Sequence, residues 1–297
     1  MRVSNKMLYN SVMGNMQRNL EKLLDLQESA SSGKKINKPS DDPIGATKVI
    51  NYNTAISKAE QYQRNIDNGT AFLNSSESAV TATLETLQRA KELALSALSE
   101  TNSSADKEVM AKEIEQLYEQ VKQTANTKYD NRYLFAGFKT DTAPYDATGN
   151  YTGTASPAGY IDVEIDAGNT ISINMPGYAV FGSATDGTDI LAALDDLKTA
   201  MESNDSDGIE TAMTNIDAGM DQAIDALAEV GARINRLEIA SNHFDKLLMD
   251  LAVYKSETED ADITKVITEL SIQQNMLEVS RATAAKVLQQ SILDFLR

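Results

Sequence analysis

The 297-residue chain has no cysteine, no tryptophan and one histidine, His243. Without thiols it can form no disulfide framework, thiolate nucleophile or cysteine metal site, and one imidazole cannot build a histidine metal cluster. Neither an HExxH pair nor a glycine-rich phosphate loop is present, and Asp141 to Asp146 and Asp186 to Asp189 do not follow the EF-hand spacing, so no cofactor and no metal is expected. Also missing is any run of roughly 18 apolar residues, the length a membrane helix requires. Met1 to Met16 mixes polar and apolar residues, unlike the apolar core of a signal peptide. These absences predict a chain with no membrane insertion and no cleaved leader.

Positive charge is scarce as well: 27 Lys and Arg face 44 Asp and Glu, a net charge of −17. The deficit is local. Residues 1–48 carry +3 and residues 263–297 carry +1, which leaves −21 on 49–262. Nucleic-acid binders gather Lys and Arg where this chain gathers carboxylates, so a nucleic-acid partner is not expected. The two ends are instead suited to dense packing, with the acidic remainder facing solvent.

What the chain does have is helical periodicity. In the first segment Met13, Met16, Leu20 and Leu23 recur at spacings of three and four, with Gln27 and Ala30 in the same phase. A second stripe runs Ile66, Thr70, Leu73, Glu77, Val80, Leu84, Leu87, Lys91, Ala94 and Leu98, and a third, after the polar break from Glu100 to Ala105, runs Met110, Ile114, Leu117 and Val121. The longest holds one heptad phase from Ile209 to Leu251, through Ile216, Ala223, Val230, Leu237 and Phe244, which is roughly 60 Å of helix at about 1.5 Å per residue. The last stripe, Ile263, Ile267, Leu270, Leu277, Ala284, Leu288 and Phe295, is interrupted by Gln273 and Gln274. Such narrow, interrupted stripes gain most of their stability from a partner helix.

The window 138–188 differs. It holds Pro144, Pro157 and Pro176, three of the chain's five prolines, and seven glycines. Two period-2 runs, Ile161/Val163/Ile165 and Ile171/Ile173/Met175, flank the turn residues Asp166 to Asn169 and predict a β-hairpin. The expected fold is mainly α: a long antiparallel helical rod or coiled coil formed by both chain ends, with a small β-rich domain inserted at its tip. The expected divisions are 1–40 (N-terminal assembly helix), 41–137 (first half of the rod), 138–188 (β-rich insert), 189–255 (second half of the rod) and 256–297 (C-terminal assembly helix).

Between the first two helical segments stands Ser31-Ser32-Gly33-Lys34-Lys35-Ile36, followed by Ser40-Asp41-Asp42-Pro43. Gly33 suits a left-handed helix C-cap, and Asp42 suits an N-cap with Pro43 at the first helical position. These residues resemble the signature of the bacterial flagellin family, with Lys35 where that signature has Arg. Tyr133-Leu134-Phe135-Ala136-Gly137, Val230-Gly231-Ala232-Arg233-Ile234-Asn235-Arg236-Leu237-Glu238 and Ser256-Glu257-Thr258-Glu259-Asp260-Ala261-Asp262 are similar to three further family elements, in the same order. The opening Met1 to Asn10, Glu60 to Ile66 and Pro176 to Phe181 look closer to the member that joins hook to filament than to the filament subunit.

The resemblance implies a non-enzymatic structural adaptor that self-assembles as a ring. It implies a hook-associated protein as neighbour on the hook side, flagellin on the filament side and an export chaperone on the C-terminal helix. It implies an extracellular place in the flagellum, reached through the flagellar secretion channel. The assembly residues expected are Met13, Met16, Leu20 and Leu23 at one end and Leu270, Leu277, Ala284, Leu288 and Phe295 at the other, with Gly33, Asp41, Asp42 and Pro43 at the joint. Two other readings remain: a filament flagellin, and a secreted helical adhesin or hydrolase with its activity in 138–188. Acidic pairs such as Asp41/Asp42 and Asp195/Asp196 argue poorly for the hydrolase, since adjacent helical residues point to different faces. Tyr133, Phe135 and Phe138 are expected to pack where the rod is left.

Overall fold

The computed structural model describes residues 5–99, 103–182 and 187–295. The chain is mainly α, with long helices from both ends and a small sheet-bearing domain inserted between them. It divides into two units. One comprises 1–58 and 247–297, the other 59–246.

The second unit is built on α2 (Pro43–Ala97), α3 (Ser104–Ala125), α5 (Ile190–Glu202) and α6 (Ser206–Glu259), of which α2 and α6 contribute residues to both units. Ion pairs and side-chain bonds fix the neighbours: Lys91 with Asp217 at 2.6 Å, Arg89 with Glu113 at 2.7 Å, and Lys198 with Glu115 at 3.1 Å. Along α6 every second stripe position, Ile209, Ile216, Ala223, Val230, Leu237 and Phe244, is at most 4% exposed. In α2 the heptad Ile66, Leu73, Val80, Leu87 and Ala94 is buried as the spacing predicts. The alternate seam position, however, is not Thr70, Glu77, Leu84, Lys91 and Leu98. It lies one residue earlier, at Gly69, Ser76, Thr83, Ala90 and Ala97. These residues are small, which permits close helix approach. The hydroxyls of Ser76 and Thr83 are satisfied by donating to the carbonyls of Phe72 and Ala79, each at 3.0 Å, so burying them costs little.

Helix starts follow capping chemistry. Ser103 and Asp106 form a reciprocal capping box on α3, and Asp189 accepts from Ala192 N–H on α5. The break before α3 lies where the sequence puts it, although 100–102 fall outside the described residues.

The insert begins with a two-residue hairpin, β1 (Lys128–Tyr129) with β2 (Arg132–Tyr133), whose turn residues Asp130 and Asn131 take φ of +47° and +63°. The predicted hairpin is present as β3 (Asp162–Asp166) and β4 (Asn169–Ser172), antiparallel with Val163 opposite Ile171 and Gly168 at φ +74°. It does not stand at a tip. Asn65 donates to the Glu164 carbonyl at 2.8 Å, Arg233 to the Asn174 carbonyl at 2.8 Å, and Arg236 to Asn169 at 2.7 Å, so the hairpin lies along the flank of α2 and α6. A Cβ on Gly69 would come within 2.7 Å of Ile173, so this glycine is what lets the insert seat so closely.

An aromatic core fills the remainder: Phe135 meets Phe181 edge-on at 5.0 Å, Tyr145 meets Phe181 at 5.7 Å, and Tyr151 meets Tyr178 at 6.1 Å. Of the aromatic trio expected to pack there, Phe135 is fully buried, Tyr133 is half-buried beneath Lys128, and Phe138 is exposed. Phe138 follows Gly137, whose positive φ turns the chain outward. The short α4 (Gly177–Phe181) completes this core.

Candidate functional site: the paired chain ends

Within the first unit, α1 (Asn5–Ser32) and α7 (Ile263–Phe295) run antiparallel and pack on each other. Two polar contacts set their register. Asn19 donates to the Ser280 hydroxyl at 3.0 Å, and the Gln273 side chain donates to the Asn19 carbonyl at 3.0 Å. Gln273 is buried beside Leu23 and Leu277, and its polarity is met by that bond.

The shielded residues of α1, among those described, include Val12, Met16, Asn19, Leu23, Leu26 and Ala30 along one face, and those of α7 are Val266, Leu270, Gln273, Leu277, Ser280 and Ala284. Met16, Leu23, Leu270, Leu277 and Ala284 are therefore brought together. Met13 and Leu20 are not: they stay 38% and 43% exposed, because the seam takes Val12, Asn19 and Leu26 in place of Met13, Leu20 and Gln27. Ile263 and Ile267 are likewise exposed. The side chains of Leu288 and Phe295 lie outside the described residues.

The joint that leads into this pair contains the predicted motif residues. Gly33 follows α1 at φ +74°, and its N–H donates to the Ser29 carbonyl at 3.0 Å. Asp41 accepts from the N–H groups of Lys38 at 2.8 Å and Asn37 at 3.0 Å, and these bonds, that of Lys38 foremost, hold its carboxyl below the usual range. Asp42 accepts from Ile44 and Gly45 N–H and so caps α2 at Pro43. Ile36 is buried here, and a Cβ on Gly45 would come within 2.5 Å of it.

Sequence reasoning did not foresee the partner of this loop. Lys34 bridges Asp260 in an antiparallel pairing: Lys35 N–H donates to the Glu259 carbonyl at 2.8 Å and Ala261 N–H to the Gly33 carbonyl at 2.9 Å. Lys34 Nζ lies 2.6 Å from the Glu259 carboxylate, which is nearly buried. The two motif segments that resembled one family's elements thus meet each other. Their polar residues were visible in the sequence, but a pairing across 225 residues has no local signal.

The seam satisfies only one side of each helix. Met7, Leu24, Ile272, Met276 and Val279 are all half or more exposed, roughly. Asn19, Ile272, Asn275, Met276 and Val279 line an open groove of about 360 Å³. The arrangement offers apolar contact and register. Among the described residues no cluster of His, Asp or Glu could hold a metal, and no helix is long and apolar enough to cross a membrane.

Residues 3–140 match the bacterial flagellin N-terminal helical region. Over nearly the whole chain, the flagellar hook-associated protein 3 of Escherichia coli is 29% identical over 304 residues, covering 94% of this chain and 95% of the relative. The same-named protein of Salmonella typhimurium is 27% identical over 306 residues, covering 95% and 96%. The similarity to bacterial flagellar proteins thus spans nearly the whole chain. A solved flagellar hook-associated protein of Vibrio parahaemolyticus shares the fold of this chain with a TM-score of 0.68 at 23% identity, over 74% of this chain and all of the other. The relatives are bacterial flagellar proteins by name, and none of these names is that of an enzyme.

Proposed function

We propose that this chain is a structural adaptor of the bacterial flagellum, assembling with copies of itself at the hook–filament junction. The observation that carries the reading is the inverted burial of the first unit. Its buried apolar residues among those described are Leu23, Ile36, Val49 and Leu277, while its exposed ones include Met7, Met13, Leu20, Leu24, Ile272, Met276 and Val279. A pair of helices with more large apolar side chains outside than inside is half of an interface.

The geometry suggests how copies meet. At about 100° per residue, Met13, Leu20 and Leu24 lie about 80–120° to one side of the α1 seam, and Ile272, Met276 and Val279 a similar angle to the other side of the α7 seam. In an antiparallel pair these stripes emerge on opposite faces. The α1 stripe of one subunit then fits the α7 groove of the next, a head-to-tail contact that repeats around an axis rather than closing as a two-fold dimer. Burying each such side chain contributes about 1–2 kcal/mol. The low net charge of the ends permits crowding of copies, and the −21 of the middle favours solubility of the free subunit.

In this reading a hook-associated protein borders the ring on the hook side, flagellin borders it on the filament side, and an export chaperone covers the C-terminal helix before assembly. The subunit reaches the cell exterior through the flagellar secretion channel. The two hook-associated relatives align over 306 and 304 residues at 27 and 29% identity, the flagellins of Halalkalibacterium halodurans and Bacillus subtilis over 289 and 296 residues at 26 and 27%, and the longer matches support the junction over the filament. Deleting the gene in its own bacterium should leave hooks without filaments in electron micrographs. Cells that keep their filaments overturn the proposal, and purified protein that extends indefinitely from seeds marks a filament flagellin instead.

A further inference from the structure

Every exposed methionine among the described residues lies in the first unit, where Met16 alone is shielded, in the α1 seam. Met7, Met13, Met249 and Met276 expose 66, 38, 70 and 51% of their surface, and all four lie in the first unit. In the second unit Met175 and Met201 are at most 1% exposed, and Met110, Met213 and Met220 are half-buried. Two of the exposed thioethers sit on the stripes proposed above: Met13 beside Leu20 on α1, and Met276 in the groove between Ile272 and Val279 on α7. The chain has no cysteine to intercept an oxidant first.

We infer that Met13 and Met276 form a reversible oxidation site through which peroxide disables subunit association. The step is a two-electron transfer: the thioether sulfur attacks the peroxide oxygen, the O–O bond breaks, the sulfur becomes a sulfoxide and the peroxide is reduced to water. A flexible apolar side chain becomes a polar one, and in the groove around Met276 it lies between the apolar side chains of Ile272 and Val279. The free subunit is the vulnerable form, since association covers both sulfurs. The consequence for association rests on the proposed head-to-tail contact, whereas the selectivity of oxidation rests on exposure alone.

The full-length free subunit treated with dilute hydrogen peroxide and mapped by peptide mass spectrometry should carry sulfoxide at Met7, Met13, Met249 and Met276 at least tenfold sooner than at Met175 and Met201. Uniform oxidation, or sulfoxide first at Met175 and Met201, overturns the site. Oxidised protein should lose most of its capacity to add to flagellar hooks, and methionine sulfoxide reductases acting on both epimers should restore it. Undiminished association after oxidation, or a loss that reduction does not reverse, overturns the consequence. The double variant M13Q/M276Q, which mimics the polarity, should associate poorly without peroxide while keeping the helix content of the parent, and normal association of that variant also overturns it. Untreated protein that fails to associate under any condition would count against the junction reading, and the peptide map would still decide the oxidation site.

Discussion

The second unit buries Ile66, Leu73, Val80, Leu87, Ile114, Val121, Ile209, Ile216 and Val230 to 1% or less, and closes an aromatic core around Phe135 and Phe181. The first unit uses the same alphabet and the same heptad spacing, yet leaves its stripes open. Length of helix does not separate them, since α1 and α7 have 28 and 33 residues. The number of partners does. Each long helix of the second unit touches others on two or more sides, whereas α1 and α7 have one another. A two-helix pair shields about one stripe per helix, and any second stripe is left for another molecule. Foldedness of one unit and incompleteness of the other are therefore written in the same code, read against different numbers of neighbours.

The comparison breaks most violently if a charge is placed in the closed core. Val80→Asp, at a site with no exposed surface, should destabilise the second unit by about 4 kcal/mol or more, seen as a large drop in its thermal transition by circular dichroism. Leu277→Asp, in the open unit, should cost about 3 kcal/mol in the α1–α7 seam and abolish association. Residues 59–246 should nonetheless resist protease as in the parent; digestion of that unit would refute their independence. A third test uses pH. Burial pushes the Tyr151 hydroxyl up to about 12 and raises Tyr145 well above its ordinary value of 10. The folded state then holds these protons after the unfolded chain has lost them, so the stabilisation is whole below pH ~10 and declines between about 10 and 12, by about 3 kcal/mol for Tyr151. Denaturant midpoints of the second unit should fall over that range, and Tyr151→Phe should flatten the decline. The smallest effect is expected at the joint: Gly33→Ala meets no steric obstacle but forces an L residue to φ +74°, costing about 1 kcal/mol, measurable as reduced helix content of the first unit alone.

Sequence reading went far here because heptads announce themselves. The stripes chosen from apolar spacing each contained buried positions: Leu73 and Val80 in α2, but only Leu23 in α1 and only Leu277 in α7 among the residues described. What it lost was the alternate position. In α2 it chose Thr70 and Glu77 over Gly69 and Ser76, and in α1 it chose Met13 and Leu20 over Val12 and Asn19. Both slips are one residue and share a cause. A seam needs small or hydrogen-bonded residues where backbones approach, and a search for hydrophobicity passes over serine, glycine and asparagine. The β3–β4 hairpin and the Asp42 cap were legible because turn and cap chemistry is local. Its seating on α2 and α6 through Arg233 and Arg236 was not, because nothing near those arginines in the chain indicates which carbonyls they reach.

The bridge between Lys34 and Asp260 acts as the origin from which the two terminal helices are counted. Asn19, fifteen residues before Lys34, meets Ser280, twenty residues after Asp260. Insertions between Asn37 and Ser40 leave the tally intact, whereas one added residue between Asn19 and Gly33 would rotate the remainder of α1 by about 100° and bring Met13 and Leu20 round toward α7. Length variation among related chains should accordingly be tolerated on the α2 side of the bridge and purged on the α1 side.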